Sequence, residues 1–129
     1  MELKPGIRNT CSLTVTEERT AKAMGSGLLP VFATPCMAAL MEQTAFTSVE
    51  PFLEPGQGTV GTSLRLEHLA ATPVGMTVTC ASELVEVDSR RLVFQVTVND
   101  EKGLVGRGTH ERFIIYNERF LAKAEARKD

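Results

Sequence analysis

The most constraining feature of this sequence is one helical segment followed by strand-like segments almost to the C-terminus. Between Val31 and Glu50, apolar positions recur at spacings of three and four, as on one face of a helix: Met37, Leu40, Met41, Thr44 and Ala45. Thr34 and Pro35 suit the N-cap and first turn. Pro51 ends the helix, because the residue before a proline avoids helical geometry. The sequence therefore predicts one long helix with a defined start and end.

Alternation of polar and apolar residues predicts five strands, at residues 10–17, 59–69, 74–87, 91–98 and 104–116. The four strands after the helix are joined by short turns rich in Gly, Pro, Asp and Asn. Residues 19–30 form a connector that could also be an entrance loop, and residues 117–129 a terminal helix or a frayed end. Short connections favour an antiparallel sheet over a βαβ alternation.

These elements predict an α+β fold in which a five-stranded antiparallel sheet packs on one long helix. A chain of 129 residues with 43% hydrophobic content is the size of a single domain, which we place at residues 1–129. One helix covers only one face of such a sheet, so a second copy of the chain is the simple way to bury the remainder. A monomer with another strand order fits the same pattern.

Composition excludes several classes of partner. The 14 basic and 16 acidic residues are scattered and give a net charge of −2, which argues against nucleic acid or an anionic membrane. No segment has the length of a membrane span or the apolar run of a signal peptide, so we expect a cytoplasmic protein. The three cysteines, Cys11, Cys36 and Cys80, are widely spaced, which predicts reduced thiols and no metal site.

Three residues are candidates for chemistry, and each also has a structural explanation. Glu42 lies beside the apolar face of the helix, where it is either a solvated edge residue or a functional carboxylate. His68 points to the same face of its strand as Leu64 and Leu66, and it is either a packing residue or a catalytic base. Thr34 could act as a cap or as a participant in acyl hydrolysis. If the helix began at Pro35, Thr34 and Glu42 would lie about 12 Å apart along its axis, too far for a direct three-way contact.

Other candidates are weaker. A Gly-x-Ser-x-Gly nucleophile elbow is absent from the sequence. His110 and Arg112 share one parity on the last strand, which favours a structural salt bridge over a contact with CoA phosphates. Cys36, beside the helix start, is either an activated thiol or an inert buried cysteine.

Several blocks, in order along the chain, resemble the fluoroacetyl-CoA thioesterase family of the hotdog superfamily. The blocks are Val31-Phe-Ala-Thr34, Leu40-Met-Glu42, Phe52-Leu-Glu-Pro-Gly-Gln-Gly58, Val60-Gly-Thr62, His68-Leu-Ala-Ala-Thr-Pro73 and Gly108-Thr-His-Glu-Arg112. The resemblance runs from about residue 31 to the C-terminus and implies a dimeric hotdog fold. It also implies hydrolysis of an acyl-CoA thioester to a carboxylic acid and CoA, without a metal or redox cofactor.

By this resemblance the catalytic residues are Thr34, Glu42 and His68, with either Thr34 or Glu42 as the nucleophile. The implied substrate-binding residues are Gly61 as a backbone donor, the active-site arginine Arg112, Leu28 and Phe32. Leu28 stands where the family has a gating phenylalanine, so we expect a short-chain or small aryl acyl group in place of strict fluoroacetyl specificity. A non-catalytic acyl-CoA-binding module and an enoyl-CoA hydratase-like protein remain alternatives.

Overall fold

The structure, a computed structural model, describes residues 2–129. Five strands form the sheet: β1 (Arg8–Thr14), β2 (Gln57–His68), β3 (Thr77–Asp88), β4 (Arg91–Asp100) and β5 (Gly103–Tyr116). Three helices accompany them: α1 (Ala21–Met24), α2 (Thr34–Val49) and α3 (Asn117–Glu125). All strand pairs are antiparallel, in the order β1-β3-β4-β5-β2. The predicted five-stranded antiparallel sheet with one long helix is confirmed.

Helix α2 connects β1 at one edge of the sheet to β2 at the other and packs across one sheet face. The apolar positions predicted from its periodicity are buried, and they meet the inward side chains of β4: Leu92, Phe94, Val96 and Val98. Burial of this kind stabilises by about 25 cal/mol per Å² of apolar surface. The core therefore fixes α2, and every side chain α2 carries, relative to the sheet.

The start of α2 differs from the prediction. Thr34 is the first residue of the helix, and the N-cap position is Ala33, which offers no side-chain hydrogen bond. Thr34 is therefore not a cap, and its hydroxyl is free for another partner. At the other end, the α-helix stops at Val49, close to the predicted end at Pro51, and a 3-10 turn follows at Glu50–Phe52. The predicted reason is wrong, because Glu50 keeps helical dihedrals (φ −49°, ψ −45°) directly before the proline. Pro51 lacks the N–H that would continue the α-helical hydrogen bonds.

Three other boundaries were predicted imperfectly. The first strand ends at Thr14, because the chain turns into a 3-10 segment at Glu17–Arg19. The third strand starts at Thr77, because residues before it form a turn with Gly75 at a φ of 99°. The connector after β1 contains the short helix α1, which Gly25 ends in the left-handed conformation.

Candidate active site

A threonine and a histidine meet where α2 begins and β2 ends. Thr34 Oγ1 lies 2.7 Å from His68 Nδ1, which is a short hydrogen bond. The other ring nitrogen, His68 Nε2, is buried and has no hydrogen-bond partner among the described residues. Burial lowers the pKa of His68 below its ordinary value, and a backbone hydrogen bond at Ala70 opposes the effect only in part. A neutral imidazole bonded to a hydroxyl can take up its proton.

A cavity of about 360 Å³ opens beside this pair. Its walls come from α1, the segment before α2 and the segment after β2: Ala21, Ser26, Val31, Phe32, Thr34, His68, Leu69, Ala70 and Ala71. Phe32 is buried, and its ring lies edge-on to the His68 ring at a centroid distance of 6.5 Å. Phe32 thus forms an apolar wall next to the reactive pair.

Leu28, the other predicted apolar binding residue, lies outside this cavity wall in the single chain. It is 90% exposed, in the segment between α1 and α2. Two further exposed apolar side chains lie near it, Met24 at the end of α1 and Leu29 in the same segment. A binding role for Leu28 stays a prediction.

A second polar cluster forms around Glu42, in the middle of α2. Its Oε2 lies 3.6 Å from Nη1 of Arg112, and the Glu42 side chain is 46% exposed while Arg112 is buried. Arg112 is held from β2, because Nε donates to Thr59 Oγ1 at 2.8 Å and Nη2 to the Thr59 carbonyl at 2.9 Å. A Cβ on Gly61 would lie 2.7 Å from Glu42 Oε2, so only glycine leaves room for the carboxylate there. Glu42, Gly61 and Arg112 are therefore neighbours.

His110 completes this cluster, and the sequence analysis did not select it as a site residue. It is 1% exposed; Nδ1 lies 2.8 Å from the Ser63 carbonyl and Nε2 lies 3.1 Å from Arg112 Nη1. The Ser63 carbonyl is within reach because β2 has a bulge between Gly61 and Ser63. The shared strand parity of His110 and Arg112 was the available signal, since it places both side chains on the same face as the helix.

The two clusters do not meet within one chain. Residues 35–37 are helical, so Thr34 and Glu42 are separated by eight helical positions, or about 12 Å. Along β2, Gly61 and His68 are seven residues apart, or about 20 Å. Thr34 and His68 are brought together, Glu42 joins Gly61 and Arg112, and no direct contact links the two groups.

Other chemistry receives no support from the described residues. Burial raises the pKa of the Cys36 thiol, with Arg19 opposing the effect, which is the reverse of an activated cysteine. Residues 2–129 contain no cluster of three or more potential metal ligands. In the same residues, no helix has the length and apolar character needed to cross a membrane.

A long helix packed across a five-stranded antiparallel sheet in this order, with a polar constellation at its edge strand, defines a hotdog-fold thioesterase. The sequence pattern of the family described as fluoroacetyl-CoA-specific thioesterase matches residues 15–118. The chain belongs to this family, and it is a thioester hydrolase.

Individual relatives agree with this assignment. The fluoroacetyl-CoA thioesterase of Streptantibioticus cattleyicolor is 47% identical over 93 residues, which cover 72% of this chain and 67% of the relative. A solved structure of a fluoroacetyl-CoA thioesterase superposes with a TM-score of 0.92 at 38% identity, and covers 98% of each chain. A thioesterase-superfamily protein from Thermus thermophilus gives a TM-score of 0.90 at 28% identity, over 97% of this chain and 93% of that one.

Proposed function

We propose that this protein hydrolyses short-chain or small aryl acyl-CoA thioesters to the free acid and CoA, and that it works as a cytoplasmic homodimer. The observation that carries the proposal is the Thr34–His68 hydrogen bond on the wall of a cavity, in a chain whose family acts on a CoA thioester. In the reaction, an oxygen nucleophile adds to the thioester carbonyl, the C–S bond breaks, and CoA leaves as a thiolate that takes up a proton.

We assign the roles as follows. His68, neutral because its pKa is lowered, accepts a proton from Thr34 or from a water that Thr34 orients. The carboxylate of Glu42 acts as nucleophile or activates the attacking water. The backbone N–H of Gly61 stabilises the developing oxyanion. Arg112, with Nη1 at 3.6 Å, is the ion-pair partner of the Glu42 carboxylate.

A complete site requires that a second copy bring its Glu42 cluster to the Thr34–His68 pair. Strand β2 is an edge strand of 12 residues. If two β2 strands pair antiparallel about a twofold axis through Arg65, which keeps both α2 helices on one face of the joined sheet, the Gly61–Thr62 bulge segment of one copy lies beside the partner's His68. The helix face turned away from the sheet carries no charge at its exposed positions, Pro35, Ala39 and Gln43, which suits contact with a second subunit.

The acyl group is proposed from the cavity. In the single chain it has a volume of about 360 Å³ and opens to solvent, so its walls do not restrict the acyl group to two carbons. Its lining includes three alanines and a serine, and Phe32 supplies an aromatic wall. These features favour small acyl chains or a small aryl group.

The first test is release of free thiol from acetyl-, fluoroacetyl-, butyryl-, crotonyl- and phenylacetyl-CoA, measured for the wild type and for Glu42→Gln. We expect the variant to lose about 10²- to 10⁴-fold in turnover. Glu54→Gln is the matched control, because it removes the same charge from an exposed turn. Well-folded protein that releases no thiol would support a binding module, and hydration of crotonyl-CoA would support a hydratase.

The second test asks whether the site is shared. Glu42→Gln and His68→Ala should each lose most of the activity on their own, whereas a mixed dimer contains one site with both native residues. After the subunits are exchanged in equal amounts, half of the dimers are mixed and each has one working site, so about a quarter of wild-type activity should return. No recovery, despite mixed dimers detected by mass spectrometry, would contradict a site built from two chains.

A further inference from the structure

The buried histidine of the Glu42 cluster has an unusually well-defined pair of partners. An arginine can only donate hydrogen bonds and a backbone carbonyl can only accept them. His110 Nε2 must therefore accept from Arg112 Nη1, and His110 Nδ1–H must donate to the Ser63 carbonyl. His110 is thus the neutral Nδ1–H tautomer, and both of its ring nitrogens are used.

The surroundings of His110 support this neutral form. Burial lowers the pKa of His110, the Ser63 carbonyl opposes the effect, and the Arg112 cation adds to the lowering. Glu42 on α2 and Glu111 on β5 act in the opposite direction. Phe94 on β4 also packs against His110; its ring centroid lies 6.2 Å from that of the imidazole, and it carries no charge.

The distances around Arg112 show how its donors are divided. Two of its three nitrogens bond to Thr59, and the third, Nη1, lies 3.1 Å from His110 but 3.6 Å from Glu42. A separation of 3.6 Å is beyond hydrogen-bond range, so Glu42 has an ion-pair partner nearby without being locked to it. His110 Nε2 is the neutral acceptor of the hydrogen bond from Arg112 Nη1.

We propose that His110 is a positioning residue that holds the Arg112 guanidinium back from Glu42 and thereby keeps the carboxylate free to act on the thioester. Without His110, a buried Nη1 donor has no neutral acceptor, and the nearest remaining acceptor is Glu42 Oε2. Arg112 would then close on Glu42 in a direct charge-assisted hydrogen bond. A carboxylate held in that way is displaced from the substrate and is a weaker nucleophile or base.

This inference rests on the proposed thioesterase function, so the test has a readout that does not depend on activity. The chain contains two histidines, His68 and His110, so imidazole ¹⁵N NMR signals can be assigned by comparing the wild type with His68→Gln. For His110 we expect a protonated Nδ1 and an unprotonated Nε2, unchanged from pH 8 to below pH 6.5. An Nε2–H tautomer or an imidazolium at neutral pH would overturn the proposal, whatever the activity.

The kinetic test compares two substitutions of the same residue. His110→Leu removes both hydrogen bonds, whereas His110→Gln supplies an amide oxygen for Arg112 and an amide N–H for Ser63. For His110→Leu we expect kcat to fall by about 10- to 100-fold, or about 1.4 to 2.7 kcal/mol, with KM nearly unchanged. His110→Gln should recover most of that loss.

Thermal unfolding of both variants separates positioning from simple structural damage. Both kinetic measurements are made well below the lower unfolding midpoint, on protein shown to be folded by circular dichroism. A His110→Leu variant with the kcat of His110→Gln would overturn the proposal. A loss that appears only in KM, or that disappears when activity is normalised to folded protein, would overturn it as well.

Discussion

Adding one methyl group at Gly61 should disable the site and leave the fold intact. A Cβ at this position would lie 2.7 Å from Glu42 Oε2, 3.2 Å from His110 Cε1 and 3.3 Å from Arg112 Nη1. Ordinary contacts begin near 3.4 Å, so the carboxylate must move by about 0.7 Å. Alanine keeps the backbone N–H, so the substitution tests the position of Glu42 and not the loss of the donor.

The expected magnitude follows from this displacement. A misplacement of about 1 Å at a reacting group can cost on the order of 10²-fold in rate, so we expect kcat/KM of Gly61→Ala to fall by about 100-fold, or ~2.7 kcal/mol. The group that must yield is the end of a half-exposed, flexible side chain, so the free energy of unfolding should change by less than about 1 kcal/mol. The loss would therefore appear in catalysis and not in stability.

Two other glycines serve as controls for this prediction. A Cβ at Gly58, on the same strand, would meet only the flexible Asn117 side chain, so Gly58→Ala should retain both activity and stability. A Cβ at Gly108 would lie 2.7 Å from the Arg65 carbonyl oxygen, which is backbone of the paired strand, so Gly108→Ala should lower the unfolding temperature. Thiol-release kinetics and thermal unfolding are measured for all three. Wild-type kcat/KM in Gly61→Ala, or a loss matched by unfolding, would refute the assignment of Glu42 to the reactive centre.

Three further predictions concern the Thr34–His68 pair and its surroundings. Thr34→Ala removes the hydrogen bond to His68. Because Thr34 is not a helix cap, the free energy of unfolding should change by less than about 0.5 kcal/mol. Unchanged turnover would show that Thr34 takes no part in the chemistry. Burial lowers the pKa of His68, and the neutral imidazole is the base. We therefore expect kcat/KM to be constant above pH 6.5 and to fall at lower pH, with a midpoint below pH 6.5. A midpoint above pH 6.5 would contradict a neutral buried base. Leu28→Ala should leave the unfolding temperature within about 1 °C, because the side chain is exposed, and change only KM or the acyl preference in the substrate panel; an altered kcat for every substrate would argue against a role limited to binding.

The fold could largely be predicted from the sequence, because its signals are local. The three-and-four spacing of α2 and the alternation in β4 report burial directly, and the described core has those residues inside. Pro51 marks the helix end in the sequence, but not through its effect on Glu50, which keeps helical dihedrals; the proline has no N–H to continue the α-helical hydrogen bonds. The start of α2 was placed one residue late, because a threonine before a proline has the same local pattern as a cap and as a first helical residue.

The sequence by itself made Thr34, Glu42 and His68 candidates for chemistry, because residue type and pattern place each at a position that could be functional, and the family resemblance gives all three catalytic roles. Only the tertiary structure decided how they are grouped. Strand order, the β2 bulge and the packing of α2 place His68 against Thr34, and Arg112 and His110 against Glu42. The physical reason is that these contacts join positions about 30 to 70 residues apart, where the spacing along a helix or strand carries no information and only the packed sheet sets the distance.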